Sequence, residues 1–184
     1  CTAMQNQMPL HTAVFHSLEE QVAVIAQAGN ILEVNQAWQD FGAENGIPNG
    51  YACTGHNYLE TLSDSAASGD SLANDALQGI KDVIAGKRLV FYFEYPCHSP
   101  NEKRWFTMRV APLHSDESRR LFVVSHHNVT QRKLAEERVE QLAMQDALTE
   151  LANRRAFLLF LQGEILRSIR NRIPIGLVLL DVDS

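Results

Sequence analysis

The sequence lacks a long apolar segment, a secretory leader and an excess of basic residues. No stretch approaches the ~20 apolar residues of a membrane-spanning helix, and the first residues show no signal-peptide pattern. The formal net charge is −6 over 184 residues, whereas nonspecific nucleic-acid binding needs a basic face. We therefore expect a cytoplasmic protein with no nucleic-acid partner and no membrane segment in these residues. Membrane anchoring upstream of Cys1 stays open.

Cysteine is scarce, and its spacing forms no pair. The three cysteines are Cys1, Cys53 and Cys97, and no two of them make a C-x-x-C motif. An odd number of distant cysteines is typical of free thiols in a reducing compartment, and it argues against a zinc site built on cysteine. The chain is 45% hydrophobic and 21% charged, an ordinary globular composition with room for one full domain and part of a second.

Residues 1–20 are predicted to contain an N-terminal flanking helix. Apolar side chains recur there at helical spacing, at Leu10, Val14, Phe15 and Leu18. This apolar face predicts a helix that packs either on its own domain or on a second copy of the chain.

Residues 21–130 are predicted to form one α+β domain. Two apolar-rich segments around an Ala-Gly-Asn turn predict a hairpin. Glycines then divide a mixed region into short helices, and a longer helix ends at Gly86. The predicted strands are 21–27, 31–35, 88–95, 104–112 and 120–129. A single five-stranded antiparallel sheet with its helices on one face satisfies this order of elements.

Two short segments add to the order of these elements: Val-Asn-Gln-Ala-Trp at residues 34–38 and His-His-Asn-Val-Thr-Gln-Arg-Lys at residues 126–133. Together they resemble a PAS sensor domain. The resemblance implies a small cavity between sheet and helices, which holds haem, flavin, a small metabolite or nothing in such domains. It also implies that the last strand leads directly into an output helix.

Strand alternation indicates which side chains face this cavity. The predicted lining residues are Phe106, Met108, Phe122, Val124 and His126. We expect His126 to contact a ligand, and the alternative is a core histidine hydrogen-bonded to the backbone.

The resemblance also bears on the cofactor. Tyr58 stands where light-sensing relatives carry a reactive cysteine, which argues against a flavin–cysteinyl adduct. Residues 70–86 contain no histidine, which argues against the haem ligation of oxygen-sensing relatives. Haem bound through His56 or His126 stays open as an alternative, and the identity of a small-molecule ligand is unknown.

Residues 131–145 are predicted to form a helix, because they are dense in charge and contain neither glycine nor proline. The resemblance to a PAS domain implies that this is the signalling helix that follows the last strand. Ala135, Val139 and Leu142 follow a 4-3 spacing. This spacing fits one seam of a two-stranded coiled coil in a homodimer, and it also fits a single solvated helix.

Residues 146–155 match the pattern D-x-L-T-x-L-x-N-R-R. By themselves they predict a turn between two helices, in which Thr149 and Asn153 satisfy exposed backbone groups. The pattern resembles the opening of a GGDEF domain, the catalytic unit of diguanylate cyclases. The resemblance implies the sensory and dimerising region of a cyclase that makes cyclic di-GMP from two GTP. It speaks against a sensor kinase, another class of protein in which such domains occur.

Residues 146–184 are accordingly expected to be the beginning of a GGDEF-like domain, a truncated α/β remnant. A helix is predicted over 156–169, and the apolar run 174–183 reads as a buried strand. By the resemblance, Asp181 and the backbone carbonyl of Val182 hold Mg²⁺, which neutralises charge in nucleotidyl transfer.

The GGDEF loop that follows in the family is not among these residues, so we expect no cyclase activity from the 184 residues alone. Two alternative functions stay open. One is a non-catalytic PAS dimerisation or ligand-binding module with a degenerate GGDEF domain. The other is a haem-binding gas sensor.

Overall fold

The structure is a computed structural model that describes residues 9–47, 53–100, 102–113, 120–146, 148–178 and 180. The chain divides into two compact units, with the boundary between Gln131 and Arg132. The first unit contains the α+β domain, and the second contains most of the helical segment that follows it.

One antiparallel sheet organises the first unit. The strands are β1 (Gln21–Ala26), β2 (Ile31–Val34), β3 (Phe91–Pro96), β4 (Trp105–Leu113) and β5 (Leu121–Asn128), and the helices are α1 (Leu10–Ser17), α2 (Gln36–Glu44), α3 (Tyr58–Ala67) and α4 (Ser71–Ile84). The strand order is β2-β1-β5-β4-β3, and every neighbouring pair is antiparallel. The predicted five-stranded antiparallel sheet and its α+β class are confirmed.

Strand β3 starts at Phe91, later than the predicted start at Arg88. The backbone N–H groups of Lys87 and Arg88 both donate to the carbonyl oxygen of Asp82, so these residues end helix α4 instead of extending the strand. Gly86 makes the turn with a φ of 74°, in the left-handed region that glycine adopts without strain.

The core lies between the inner face of the sheet and the helices. On β4, Phe106, Met108 and Val110 are buried while Arg109 is exposed, which confirms the predicted alternation. Helix α4 adds a row of buried residues on one side: Ala73, Ala76, Leu77, Gly79, Ile80 and Val83.

Asn35 fixes the corner between β2 and α2. Its side-chain oxygen accepts from the backbone N–H groups of Val22 at 2.9 Å and Trp38 at 3.1 Å. Its amide nitrogen donates to the carbonyl oxygens of Leu18 at 3.4 Å and Glu20 at 2.7 Å. Because the residue is 0% exposed, these bonds supply the partners that a buried amide needs on both of its polar atoms.

The N-terminal helix is confirmed as α1, but its apolar face is open. Leu10 is 80% exposed and Val14 is 53% exposed, and no residue of α1 is buried. The helix therefore presents most of its predicted packing face to solvent.

The second unit is helical in its described residues. Helix α5 (Thr130–Leu142) begins in the first unit and continues into the second, and α6 (Arg154–Asn171) follows. Helix α5 ends before the predicted Gln145, because Gln145 instead forms an antiparallel bridge with Ala152. Helix α6 extends beyond the predicted range 156–169 at both ends. It begins at Arg154 because the side chain of Asn153 accepts from the N–H of Ala156 and caps the helix.

The strand predicted over residues 174–183 is not formed in the described part of that segment. Residues 173–178 and 180 adopt no regular structure, and Leu177 is 62% and Val178 81% exposed. The physical reason is pairing: a strand without a neighbour leaves its backbone N–H and C=O groups without hydrogen bonds. None of the described residues supplies that neighbour.

Candidate ligand cavity

A cavity of about 220 Å³ lies between α3, α4 and the inner face of the sheet. Its polar groups come from Tyr58, Tyr95 and His126 near the start of α3, and from Ser65 and Asp70 near the end of that helix. The remaining wall is apolar and is formed by Leu62, Leu72, Ala73, Ala76, Phe93 and Met108. This arrangement suits a small ligand with an apolar body and a polar group.

His126 is the centre of a hydrogen-bonded chain at this cavity. Its Nδ1 lies 2.7 Å from the hydroxyl oxygen of Tyr95, and its Nε2 lies 3.2 Å from that of Tyr58. The Tyr58 hydroxyl in turn lies 3.6 Å from the Met108 sulfur.

One placement of hydrogens gives every donor of this chain a partner. The Tyr95 O–H donates to Nδ1, the Nε2–H donates to the Tyr58 oxygen, and the Tyr58 O–H donates to the Met108 sulfur. The opposite tautomer would leave the Tyr95 hydrogen without a partner in this chain. The network therefore assigns the proton of neutral His126 to Nε2.

Burial keeps this chain of side chains uncharged at neutral pH. It lowers the pKa of His126 to about 4 and raises the pKa of Tyr58. Burial also raises the pKa of Tyr95, and the neighbouring Tyr58 and Cys97 raise it further. Each group therefore acts as a neutral donor and acceptor of hydrogen bonds.

A second cavity of about 180 Å³ is lined by the same three side chains. Tyr58, Tyr95 and His126 line both cavities, and the rest of the second wall is Gln21, Trp38, Phe41 and Gly42. The hydrogen-bonded side chains of Tyr58, His126 and Tyr95 are therefore a wall common to both cavities, which we call the partition.

Sheet register brings the partition together. Met108 is directly opposite His126 across β4 and β5, and directly opposite Phe93 across β4 and β3. Tyr95 follows Phe93 by two positions, so both face the same side of β3. Their rings stack at 6.1 Å with an interplanar angle of 12°.

Tyr58 is held by the start of α3. The side chain of Asn57 accepts from the N–H groups of Leu59 and Glu60, and donates to the carbonyl oxygen of Ala28. The N–H of Tyr58 itself donates to the carbonyl oxygen of Gly29. The cap therefore ties α3 to the β1–β2 turn and fixes the backbone that carries the Tyr58 hydroxyl.

Only part of the predicted lining is at the cavity. Met108 and His126 line it, whereas Phe106, Phe122 and Val124 are at most 2% exposed and line neither cavity. Register explains the difference, because Val124 pairs with Ala23 and Val110, in the part of the sheet that the core fills. Alternation finds the face of a strand, but it does not find the position along that face.

Two partition residues were missed as ligand contacts. Tyr95 carried a signal, because it continues the inward alternation of Phe91 and Phe93 on β3. Tyr58 was singled out only as the position of a cysteine in light-sensing proteins. Its link to His126 joins residues 68 positions apart, and no local pattern encodes that contact.

The structure gives the surroundings of the two candidate haem ligands. Both ring nitrogens of His126 are hydrogen-bonded to tyrosines, and His56 lies on an exposed bend. Haem binding through either histidine is an alternative that these contacts do not test. Asp181 and Val182, the predicted Mg²⁺ ligands, lie outside the described residues. Within the described residues, no three His, Cys, Asp or Glu side chains gather as metal ligands would.

Asp146 and residues 148–153 form a hydrogen-bonded connection between α5 and α6 in the second unit, called the joint below. The Asp146 carboxylate accepts from the N–H groups of Leu148 and Thr149 and from the Thr149 hydroxyl, at 2.9–3.1 Å. These bonds, led by the one from the Thr149 N–H, lower the pKa of Asp146. Asn153 caps α6 through the N–H of Ala156 and donates to the carbonyl oxygens of Ala143 and Gln145. The predicted turn between two helices is confirmed.

The predicted dimer seam is open to solvent. Val139 and Leu142 are each 65% exposed, and Ala135 is also exposed. All three residues lie on helix α5, as predicted. The homodimer itself stays a prediction. In the described part of the chain, no helix has the length and apolar character needed to cross a bilayer.

No protein-family model matches the chain. It is 44% identical over 126 residues to an uncharacterised 104.1 kDa protein of Rhodobacter capsulatus, encoded in the hypE 3′ region. That match covers 67% of this chain and 13% of the relative, so the chain spans a small part of the length of the curated protein it matches.

Solved structures of similar fold have low sequence identity. An RNA-binding light-oxygen-voltage receptor aligns with a TM-score of 0.50 at 18% identity, over 78% of this chain and 40% of its own. The Vibrio cholerae VqmA dimer aligns with a TM-score of 0.50 at 16% identity, over 68% and 53%. The PAS domain of Bordetella pertussis BvgS has a TM-score of 0.49 at 15% identity, over 72% and 93%. With the observed strand order and helix placement, the first unit has a PAS-like fold.

Proposed function

We propose that this chain is the sensory and dimerising region of a diguanylate cyclase. In this proposal the PAS-like domain senses a small molecule in its cavity, and helix α5 carries the response to a GGDEF domain that begins at Asp146. The intact parent makes cyclic di-GMP and pyrophosphate from two GTP.

The observation that carries the proposal is the short path from the cavity to the output helix. His126 lies on β5, and α5 begins at Thr130, directly after that strand. The Thr130 hydroxyl accepts from the backbone N–H of Trp105 on β4 at 3.0 Å, and the Thr130 N–H donates to Asn128 at 3.0 Å. A displacement of His126 is therefore transmitted through a few bonded residues to the first turn of α5.

The joint at residues 146–153 supports the identity of the output domain. Its conspicuous motif residues, Asp146 and Asn153, have defined structural roles between α5 and α6. They orient the helix that follows α5, so a change in α5 packing reaches that helix through a fixed connection. In the intact parent, Asp181 and Val182 would hold Mg²⁺, which supplies charge neutralisation on the GTP phosphates.

The proposal requires that two copies of α5 pair along the exposed seam. Burying Val139 and Leu142 between two helices stabilises a dimer by the hydrophobic effect, and a carboxylate at that seam opposes pairing because its burial is costly. Pairing brings two GTP-bearing domains together, as a product made from two GTP requires.

The test uses the natural full-length protein with Val139→Asp or Leu142→Asp. We expect each variant to be monomeric by sedimentation and to lose at least tenfold in cyclic di-GMP formation from GTP and Mg²⁺. Gln141→Asp is the matched control, because it adds the same charge beside the seam, and it should remain dimeric and active. Full activity of a monomeric variant would refute the coupling. Absence of cyclic di-GMP from the wild type would favour the non-catalytic module with a degenerate GGDEF domain.

A further inference from the structure

The chemistry of the 220 Å³ cavity restricts the charge of its ligand. Among the described residues that line it, Asp70 is the only side chain with a formal charge. Asp70 is exposed, and one of its oxygens already accepts from the N–H groups of Leu72 and Ala73 at the start of α4. An anion would therefore lose hydration without gaining a cationic partner, which disfavours its binding.

The partition offers hydrogen bonds that suit a neutral group. The Tyr58 and Tyr95 hydroxyls and the His126 imidazole can each donate or accept, because a hydroxyl rotates and a neutral imidazole changes tautomer. A ligand group with one donor and one acceptor can replace a contact within this chain and leave every polar atom paired. A positive charge gains little there, since burial disfavours the cationic form of His126 and Asp70 lies near the other end of α3.

Volume and shape restrict the ligand further. The volume of the cavity equals that of about seven molecules of liquid water. It is smaller than the ~300 Å³ at which sites for drug-sized molecules begin. Flat rings form much of its wall, with Phe93 and Tyr95 stacked and Tyr95 edge-on to His126 at 5.8 Å. Because Phe93 and Tyr95 stack with each other and with Phe91 and Phe106, a planar ring can meet their edges, a favourable geometry for aromatic pairs. The small side chains of Ala73 and Ala76 also line the cavity.

We propose that this cavity binds an uncharged molecule with a single aromatic ring, whose polar group joins the hydrogen bonds of Tyr58, Tyr95 and His126. The inference rests on the sensory role proposed above for this domain, and it adds the chemical class of the ligand. It also assigns the partition as the element that the ligand rearranges.

Three probes of nearly equal shape separate charge from size: benzamide is neutral, benzoate is an anion and benzamidine is a cation at pH 7. The measurement is NMR of the 184-residue chain with ¹³C-methyl methionine. The Met108 methyl group reports on the cavity, and Met144 in the second unit is the internal reference. We expect benzamide to shift the Met108 signal saturably, with a dissociation constant at least tenfold lower than that of benzoate or benzamidine, and to leave Met144 unchanged.

Two variants place the binding in the cavity. Ala76→Leu fills the wall from α4 and should abolish the benzamide shift at Met108, whereas Gln78→Leu, on the exposed side of the same helix, should leave it intact. The wild-type probe series stands even if Ala76→Leu fails to fold.

The inference is overturned if benzamide does not shift Met108 up to its solubility limit, or if either charged probe binds as tightly as benzamide. Cyclic di-GMP formation takes no part in this test. Selective benzamide binding together with an unresponsive cyclase would uphold the ligand class and contradict the proposed function alone.

Discussion

Asn35 is a buried polar residue whose hydrogen bonds hold the corner between β2 and α2. A polar residue that is 0% exposed is stable in the core only because both of its polar atoms are paired, with Val22, Trp38, Leu18 and Glu20. A substitution that removes the amide leaves the buried backbone N–H of Val22 without a partner and breaks the part-buried bonds to Trp38, Leu18 and Glu20. A buried group without a partner costs about 1–3 kcal/mol.

We therefore expect Asn35→Ala to lower the free energy of unfolding by about 2–4 kcal/mol, measured by urea denaturation. Asn74→Ala is the control, because Asn74 is exposed on α4 and surface substitutions change stability by about 0.5 kcal/mol or less. Equal urea midpoints for the two variants would show that Asn35 does not hold the corner of β2 and α2.

The neutral state of His126 gives stability a pH dependence. Its pKa is about 4 in the folded protein and 6.5 for an ordinary histidine, so the unfolded chain binds more protons between these values. The contribution of neutral His126 to the free energy of unfolding is complete above pH 6.5 and is lost as the pH falls towards 4. The shift corresponds to a loss on the order of 3 kcal/mol.

The comparison of wild type with His126→Gln isolates this effect from the other histidines and acids. From pH 7.5 to pH 4, the free energy of unfolding should fall further for the wild type than for the variant. Parallel curves would contradict the assigned neutral state, as would an NMR titration that finds the His126 ring protonated at pH 6.

Thr130 links β4 to the first turn of α5. Replacing it with valine keeps the shape of the side chain but removes the oxygen that accepts from the Trp105 N–H. We expect the free energy of unfolding to fall by about 1–3 kcal/mol. Thr107→Val on β4 is the matched control, since its hydroxyl makes only a 3.4 Å contact with Glu94. Hydrogen exchange at Trp105 should accelerate in Thr130→Val and stay unchanged in the control; equal protection in both would remove Thr130 from the path.

The joint between α5 and α6 depends on one carboxylate. Asp146→Ala removes the acceptor for Leu148 and Thr149, so amide protection of these residues should drop to the level of an open turn. Arg155→Ala, exposed in the first turn of α6, should leave it unchanged. Since hydrogen bonds lower the pKa of Asp146, the amide protection of Leu148 and Thr149 should persist at a pH where an ordinary aspartate is already protonated. Loss of protection at the ordinary pKa of an aspartate would show that the Asp146 carboxylate does not hold these amides.

The strands of the sheet were predictable because the pattern of apolar and polar residues along each one reflects which face is buried. Alternation predicted that Phe106 and Met108 on β4 face inward, and both are buried. The motif at residues 146–155 predicted the turn between α5 and α6. The partition was not predictable, because Tyr58, Tyr95 and His126 come from three elements whose meeting depends on register and on the cap of α3. The strand at 174–183 failed for a related reason, since a strand needs a neighbour that local sequence does not provide.

The whole chain joins a cavity with a neutral polar partition to a helix that starts at the end of the cavity strand. This arrangement gives a role to the hydrogen bonds that join Tyr58, Tyr95 and His126. It also accounts for the open apolar seam on α5, where Val139 and Leu142 are exposed. The central claim is that the cavity controls the output of a cyclase.

The most direct test is the rate of cyclic di-GMP formation by the natural full-length protein, with GTP and Mg²⁺, in wild type, Ala76→Leu and Gln78→Leu. Our account predicts that filling the cavity changes the rate at least threefold and abolishes any response to benzamide, while Gln78→Leu behaves as wild type. A wild type without cyclase activity, or equal rates in all three proteins, would contradict it.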